Sequence, residues 1–133
     1  MSRHFTTINV CDFEYETSGG EYNLVVGDLP KVLCMVVYVL NENLQHVRTI
    51  RMWRGDFGSE PPFDIGPNAL FVAYSAWAEL TCFMQLGWKF PTHVFDLHTA
   101  FLAASNILLS YEPDTKRTRI RKRLQGTDIE RHR

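Results

Sequence analysis

Along the first hundred residues the hydrophobic and polar positions alternate with a period of two before switching to helical spacing. His4 to Glu16 (HFTTINVCDFEYE) alternates in part and is rich in Thr, Ile, Val and Phe, which predicts a strand whose far end carries acids. The pattern breaks at Ser18-Gly19-Gly20. Val32 to Leu40 (VLCMVVYVL) is β-branched and almost continuously apolar, as suits a central strand buried on both faces. After the polar turn Asn41-Glu42-Asn43, Val47 to Trp53 alternates again, so these two segments predict a hairpin. Arg54 to Pro67 holds three Gly and three Pro and predicts a surface loop.

Beyond the loop, Ala69 to Ala73 (ALFVA) predicts a short buried strand. Ser75 stands where an N-cap would open a helix running through Leu86, with Gly87 closing it at C′. Thr92 to Phe95 predicts a brief strand. Asp96 then caps a helix with apolar residues at Leu97, Phe101, Leu102, Ile107 and Leu108, and Pro113 ends it. Three antiparallel strands followed by strand, helix, strand, helix make an α/β layer fold on a mixed sheet. The sequence has no internal repeat.

At 133 residues and 45% hydrophobic, the chain has the size and composition of one folded domain. The longest apolar run, Val32 to Leu40, falls well short of the roughly 20 residues that cross a bilayer, so no membrane span is expected. MSRHFTTINVCDF lacks the features of a secretory signal, which points to the cytoplasm. Cys11, Cys34 and Cys82, odd in number and set among apolar neighbours, read as buried reduced thiols. The net charge of −1 hides an asymmetry. Residues 1–114 hold 13 acidic and 6 basic groups, a net −7, and residues 115–133 hold two acidic and eight basic, a net +6. The basic tail, KRTRIRKR at its centre, is compatible with a phosphate backbone; on charge alone a solvated linker or terminal extension is the preferred reading.

The candidate chemistry centres on Asp12-Phe13-Glu14. Residues i and i+2 of a strand share a face, so Asp12 and Glu14 present two carboxylates side by side while Phe13 turns to the core. Like charges so placed are tolerated in solvent or around a cation, and hard oxygen ligands suit Mg²⁺ or Mn²⁺. A solvated strand end is the alternative. His93 and His98 lack the i, i+4 helical pairing of zinc proteases and read as structural. Ser75 lacks the glycines of a nucleophile elbow and reads as a cap. Ser18-Gly19-Gly20 is no P-loop, having neither its Lys nor its helix. Of Trp53, Trp77 and Trp88, which could stack on bases, at least two are expected to be buried.

With Asp12-x-Glu14 on the first strand, two further strands and then Phe71-Val72-Ala73-Tyr74-Ser75-Ala76-Trp77-Ala78-Glu79, the chain resembles the DEDD family of 3′–5′ exonucleases over Ile8 to Leu109. The likeness is to the proofreading-type domain attached to some bacterial and phage family A DNA polymerases. That family's second motif is commonly Asn-x-x-Phe-Asp, sometimes with Glu last. Here Glu79 retains the carboxylate, while Ser75 and Ala78 replace the Asn and Phe. Val94-Phe95-Asp96-Leu97-His98-Thr99 looks like the strand and helix start that follow. The third motif, Tyr or His four or five residues before an Asp, has no match: Tyr111-Glu112-Pro113-Asp114 has the wrong spacing, and Asp128 lacks the Tyr or His.

The resemblance implies a ribonuclease H-like mixed sheet, incomplete at the C-terminus, with an exonuclease-like domain over residues 1–111 and a basic tail over 112–133. It implies hydrolysis of DNA at a single-stranded 3′ end, with a polymerase domain as partner in full-length relatives. Two Mg²⁺ or Mn²⁺ ions about 3.5–4 Å apart would activate water and stabilise the leaving oxygen. Asp12, Glu14 and Glu79 are then the catalytic, metal-binding carboxylates. Ser75, with Lys116, Arg117, Arg119, Arg121, Lys122 and Arg123 of the tail, would contact nucleic acid. Two other readings stay open: a catalytically inactive fragment or nucleic-acid-binding module on the same fold, and a plain interaction domain whose acids are solvated.

Overall fold

A computed structural model of the chain describes residues 4–17 and 29–110, with side chains as far as 106. Strands β1 (Thr7–Glu16), β2 (Lys31–Asn41), β3 (His46–Trp53) and β4 (Ala69–Ala73) precede helix α1 (Ala76–Leu86), strand β5 (Val94–Asp96) and helix α2 (Leu97–Ser110). The protein is an α/β fold on one mixed, open five-stranded sheet of order β3-β2-β1-β4-β5. β2 pairs antiparallel with both β1 and β3, whereas β4 and β5 run parallel to β1. Among the described residues no helix is long and apolar enough to cross a membrane.

The chain divides into two compact units, the first ending at His98 and the second beginning at Thr99. The first holds the sheet and α1. In the second, α2 leaves Phe101 and Leu102 about half exposed. The boundary expected at residue 111, the tail with its basic residues Lys116 to Arg123, Pro113 and Asp128 lie outside the described residues, as does Ser18-Gly19-Gly20.

One layer covers the inner face of the sheet. Cys11 and Phe13 of β1, Met35, Val37 and Val39 of β2, and Phe71 and Ala73 of β4 point to it. α1 answers with Ala76, Cys82 and Phe83. Phe83, fully buried, sits edge-on to Phe71 and Trp88 with ring centroids 5.3 and 5.2 Å away, a favourable quadrupole arrangement. The Arg54 to Pro67 segment is not merely surface. Phe63 is buried, Phe57 and Ile65 pack against the core, and the Trp88 indole N–H donates to the Gly58 carbonyl at 2.9 Å.

Two expectations change here. β2 lies inside the sheet but is buried on one face only, with Val36 and Tyr38 exposed on the other; among the described residues of the first unit, α1 and the loop pack on the inner side. Only Trp88 of the three tryptophans is buried; Trp53 is 69% and Trp77 56% exposed. The three cysteines are free, Cys11 and Cys82 buried and Cys34 half-buried.

At the C-terminus of α1, Gly87 takes φ 71°, its N–H donating to the Met84 carbonyl at 3.1 Å, while the Trp88 N–H donates to Phe83 at 2.9 Å. This paired closure turns the chain from the helix into the Trp88 anchor.

Candidate active site

The three parallel strands end together. Val10, Val72 and Phe95 share one row, beyond which β4 and β5 stop within a residue while β1 continues to Glu16. The connection from β1 leads to β2 on one side, and that from β4 leads through α1 to β5 on the other. The crevice outside these carboxyl ends is a topological switch point, where open α/β sheets bind ligands. Asp12, Ser75, Glu79 and Asp96 all come from the segments that border it.

On β1, alternation sets Asp12 and Glu14 in solvent and Phe13 in the core, and the pairing with β2 shifts register just past the acid pair, skipping Leu33. Glu79 is different. It falls on the inward stripe of α1 with Ala76, Cys82 and Phe83 and is only 4% exposed. Trp77 points to solvent on another face.

Because β1 outruns its pairing with β4 at Val10, the Phe13 N–H is available to the Glu79 carboxylate, as is the N–H of Glu79 itself. The other oxygen, Oε2, is buried and has no hydrogen-bond partner. Burial raises the Glu79 pKa from 4.5 to about 7, helped by the negative charges of Asp12 and Asp96, against the pull of the two backbone N–H groups. The same pocket raises the Cys82 thiol to about 12, chiefly by burial and then through Glu79. Cys11 is also pushed up by burial, then by Glu79, Asp12 and Cys82. Both thiols stay protonated and inert near neutral pH.

The second arm of the crevice is organised by Asp96. Its Oδ1 accepts from the Ser75 and His98 N–H groups at 3.1 and 2.9 Å, and its Oδ2 accepts from Ala76 at 3.0 Å. One carboxylate thus caps the starts of both helices. Ser75 precedes α1 as expected, but its side chain makes no cap: the residue is left-handed (φ 60°, ψ 60°), and its hydroxyl pairs with His98 Nδ1 at 3.2 Å. His98 also stacks on Tyr74, centroids 5.0 Å apart. With the Ala76 N–H committed to Asp96, the amide after Ser75 is not open to stabilise an oxyanion, which argues against a serine nucleophile despite the neighbouring imidazole. His93 lies 5.3 Å from the Phe5 ring, in a structural setting.

Asp12 is close enough to add to the charge felt by Glu79, but Asp12 and Glu14 stand on the outer face of the sheet beside Val36 and Cys34, whereas Glu79 belongs to the inward stripe of α1, so the structure does not gather the three carboxylates at one point. Among the described residues, no three His, Cys, Asp or Glu side chains stand close enough to hold one ion between them. Sequence reasoning overlooked the double capping by Asp96 and the pairing of Ser75 with His98. It also overlooked the burial of Glu79, although the spacing Ala76, Glu79, Cys82, Phe83 carried that signal: Glu79 interrupts an otherwise apolar helical stripe. A separate cleft of about 350 Å³, lined by Glu60, Phe63, Asp64, Gly87 and Lys89, opens by the far end of α1. The helix has eleven residues, roughly 16 Å of length, so that cleft is remote from these acids.

The fold is an α/β protein with a mixed sheet whose parallel strands end beside Asp12, Glu79 and Asp96. No protein family, characterised protein or solved structure matches the chain, so any assignment of activity stands on this geometry and on the sequence motifs.

Proposed function

We propose that the chain is a metal-dependent 3′–5′ exonuclease-like domain of ribonuclease H-like fold, acting on single-stranded DNA ends and akin to DNA polymerase proofreading domains. Placement of Glu79 carries this reading. A carboxylate from the start of α1, 65 positions after Glu14, lies against β1 within electrostatic reach of Asp12, with one buried oxygen unpartnered. Three antiparallel strands followed by strand, helix, strand and helix lend further support.

The donor set fits Mg²⁺ or Mn²⁺: the oxygens are hard, and a cation would relieve both the unpartnered Oε2 and the repulsion between Glu79 and Asp12. Asp12, Glu14 and Glu79 would hold it only once the end of β1 turned its two outer-face acids toward Glu79, since as folded the three do not converge. Once bound, it supplies a more acidic water and neutralises charge at the phosphate. The chain's own contribution is positional. Asp96 fixes the start of α1 and hence Glu79, the Phe13 N–H orients one carboxylate oxygen, and Ser75 borders the crevice where substrate would enter. Three carboxylates stand where the family uses four, so slow turnover is expected.

The placement of Asp12 and Glu14 on the face opposite Glu79 favours one second reading, a nucleic-acid-binding module without catalysis. Digestion of 5′-labelled single-stranded DNA with Mn²⁺ separates the two. The exonuclease reading expects slow shortening from the 3′ end that Asp12→Ala abolishes. Intact DNA with the wild-type protein, or shortening that survives Asp12→Ala, would refute it.

A further inference from the structure

The outer face of the sheet, opposite α1, carries an ordered row of aromatic and basic side chains that the crevice does not use. Cross-strand register fixes its layout. Val10, Tyr38 and Thr49 share one row across β1, β2 and β3; Asp12, Val36 and Arg51 share the next; Glu14, Cys34 and Trp53 share the third. Tyr38 is 50% and Trp53 69% exposed, and Val36 and Arg51 between them also face solvent.

Neither aromatic ring rests on a loose support. Tyr38 lies 4.6 Å, centroid to centroid, from the His46 imidazole, whose Nε2 is paired with Thr49 Oγ1 at 2.8 Å. Trp53 stands on a closed turn: its N–H donates to Asp56 Oδ2 and its carbonyl accepts from the Asp56 N–H, both at 2.9 Å. The next N–H, of Arg54, donates to the Leu33 carbonyl at 2.8 Å. These are flat apolar surfaces held in water by a fixed backbone.

Charge identifies the occupant. In residues 1–114, with a net −7, three of the six basic residues fall within 48–54. Arg48 is turned inward, donating to the Pro62 carbonyl at 3.3 Å, whereas Arg51 stands on the outer face between Thr49 and Trp53. The acids Asp12 and Glu14 lie two strands away, about 10 Å across the same face. A polyanion is thus drawn to the β3 edge, where Trp53 stands beside Arg51, and repelled from β1, with Tyr38 on the strand between them. A protein partner covering Val36 and Tyr38 would have to desolvate the charges that flank them on both sides.

We propose that the outer face of the β2–β3 hairpin is a stacking platform for single-stranded nucleic acid. Bases rest on Tyr38 and Trp53, Arg51 meets a phosphate, and the strand crosses from β3 over β2 toward β1, whose carboxylates would admit it once a cation neutralised them. Every base has a π-face, so the platform is tolerant of sequence. The proposal rests on the nuclease reading for the strand's destination, but its own test needs no turnover.

Binding of a fluorescein-labelled oligo(dT) to the full chain is followed by anisotropy in EDTA across a series of NaCl concentrations. Trp53→Ala and Tyr38→Ala should each weaken binding about fivefold or more, since each removes a stacked base. Their log-log salt slopes should match the parent, because stacking releases no counterions, while Arg51→Gln should lower the slope by roughly 1. Trp77→Ala, an exposed tryptophan on α1, should stay within twofold. Circular dichroism confirms that each variant is folded, and none of the four side chains belongs to the core. Affinity within twofold of the parent for both aromatic variants, or no binding by the parent, would overturn the platform. So would a dimer seen by sedimentation that Trp53→Ala dissolves, which would give the face to a second copy of the chain. Platform binding without Mn²⁺-dependent digestion would sink the nuclease reading alone, and digestion indifferent to Trp53 and Tyr38 would sink the platform alone.

Discussion

Glu79→Gln tests the buried carboxylate at the centre of the crevice. In metal-free solution the folded protein holds the Glu79 proton up to about pH 7, whereas the unfolded chain releases it near 4.5. Between these values the native state binds more protons than the unfolded state, so stability falls as pH rises. The penalty is absent below about pH 4.5 and complete above about pH 7. A shift from 4.5 to about 7 corresponds to about 3 kcal/mol. Glutamine keeps the size and one acceptor but cannot ionise. Its amide must itself be buried, at a cost that does not vary with pH, so the comparison rests on the slope and not on the absolute stability. Urea denaturation of both proteins in EDTA from pH 4 to 8 should give curves that diverge by about 3 kcal/mol, with the wild type losing more. Groups common to both cancel. Curves that stay parallel to within about 0.5 kcal/mol would show that Glu79 ionises freely, and the burial argument would fail.

Two further predictions concern the frame around it. Asp96→Ala strands the N–H groups of Ser75, Ala76 and His98 at once and should cost at least about 2 kcal/mol in urea denaturation; a loss below about 0.5 kcal/mol would show that water caps both helices as well. Gly87→Ala should cost about 1 kcal/mol from the positive φ alone, since an added Cβ meets nothing within 4 Å, and a thermal melt showing no loss would contradict the left-handed closure of α1.

Much of the architecture was legible in the sequence because it follows from local periodicity. Alternation in HFTTINVCDFEYE and VRTIRMW placed β1 and β3, Ala69 to Ala73 gave β4 residue for residue, and Gly87 marked the end of α1. The outward pairing of Asp12 with Glu14 follows from the period of two, which any strand imposes whatever it packs against. What the sequence misjudged depended on partners distant in the chain. VLCMVVYVL reads as buried on both faces, yet Val36 and Tyr38 are exposed, because burial is set by what packs on a face, and α1 and the loop pack on the inner one. Phe63 lies in a segment that reads as surface, but it fills a gap in the core between Phe71, Phe83 and Trp88. Ser75 has the composition of a cap, but Asp96, 21 residues away, takes the N–H groups and leaves the hydroxyl to His98. Glu79 could be placed on a helix from sequence alone, but its burial, its unpartnered oxygen and its raised pKa arise only where α1 meets the overhanging end of β1. Period and turn chemistry are properties of neighbouring residues; desolvation and charge coupling belong to groups that only the folded chain brings together.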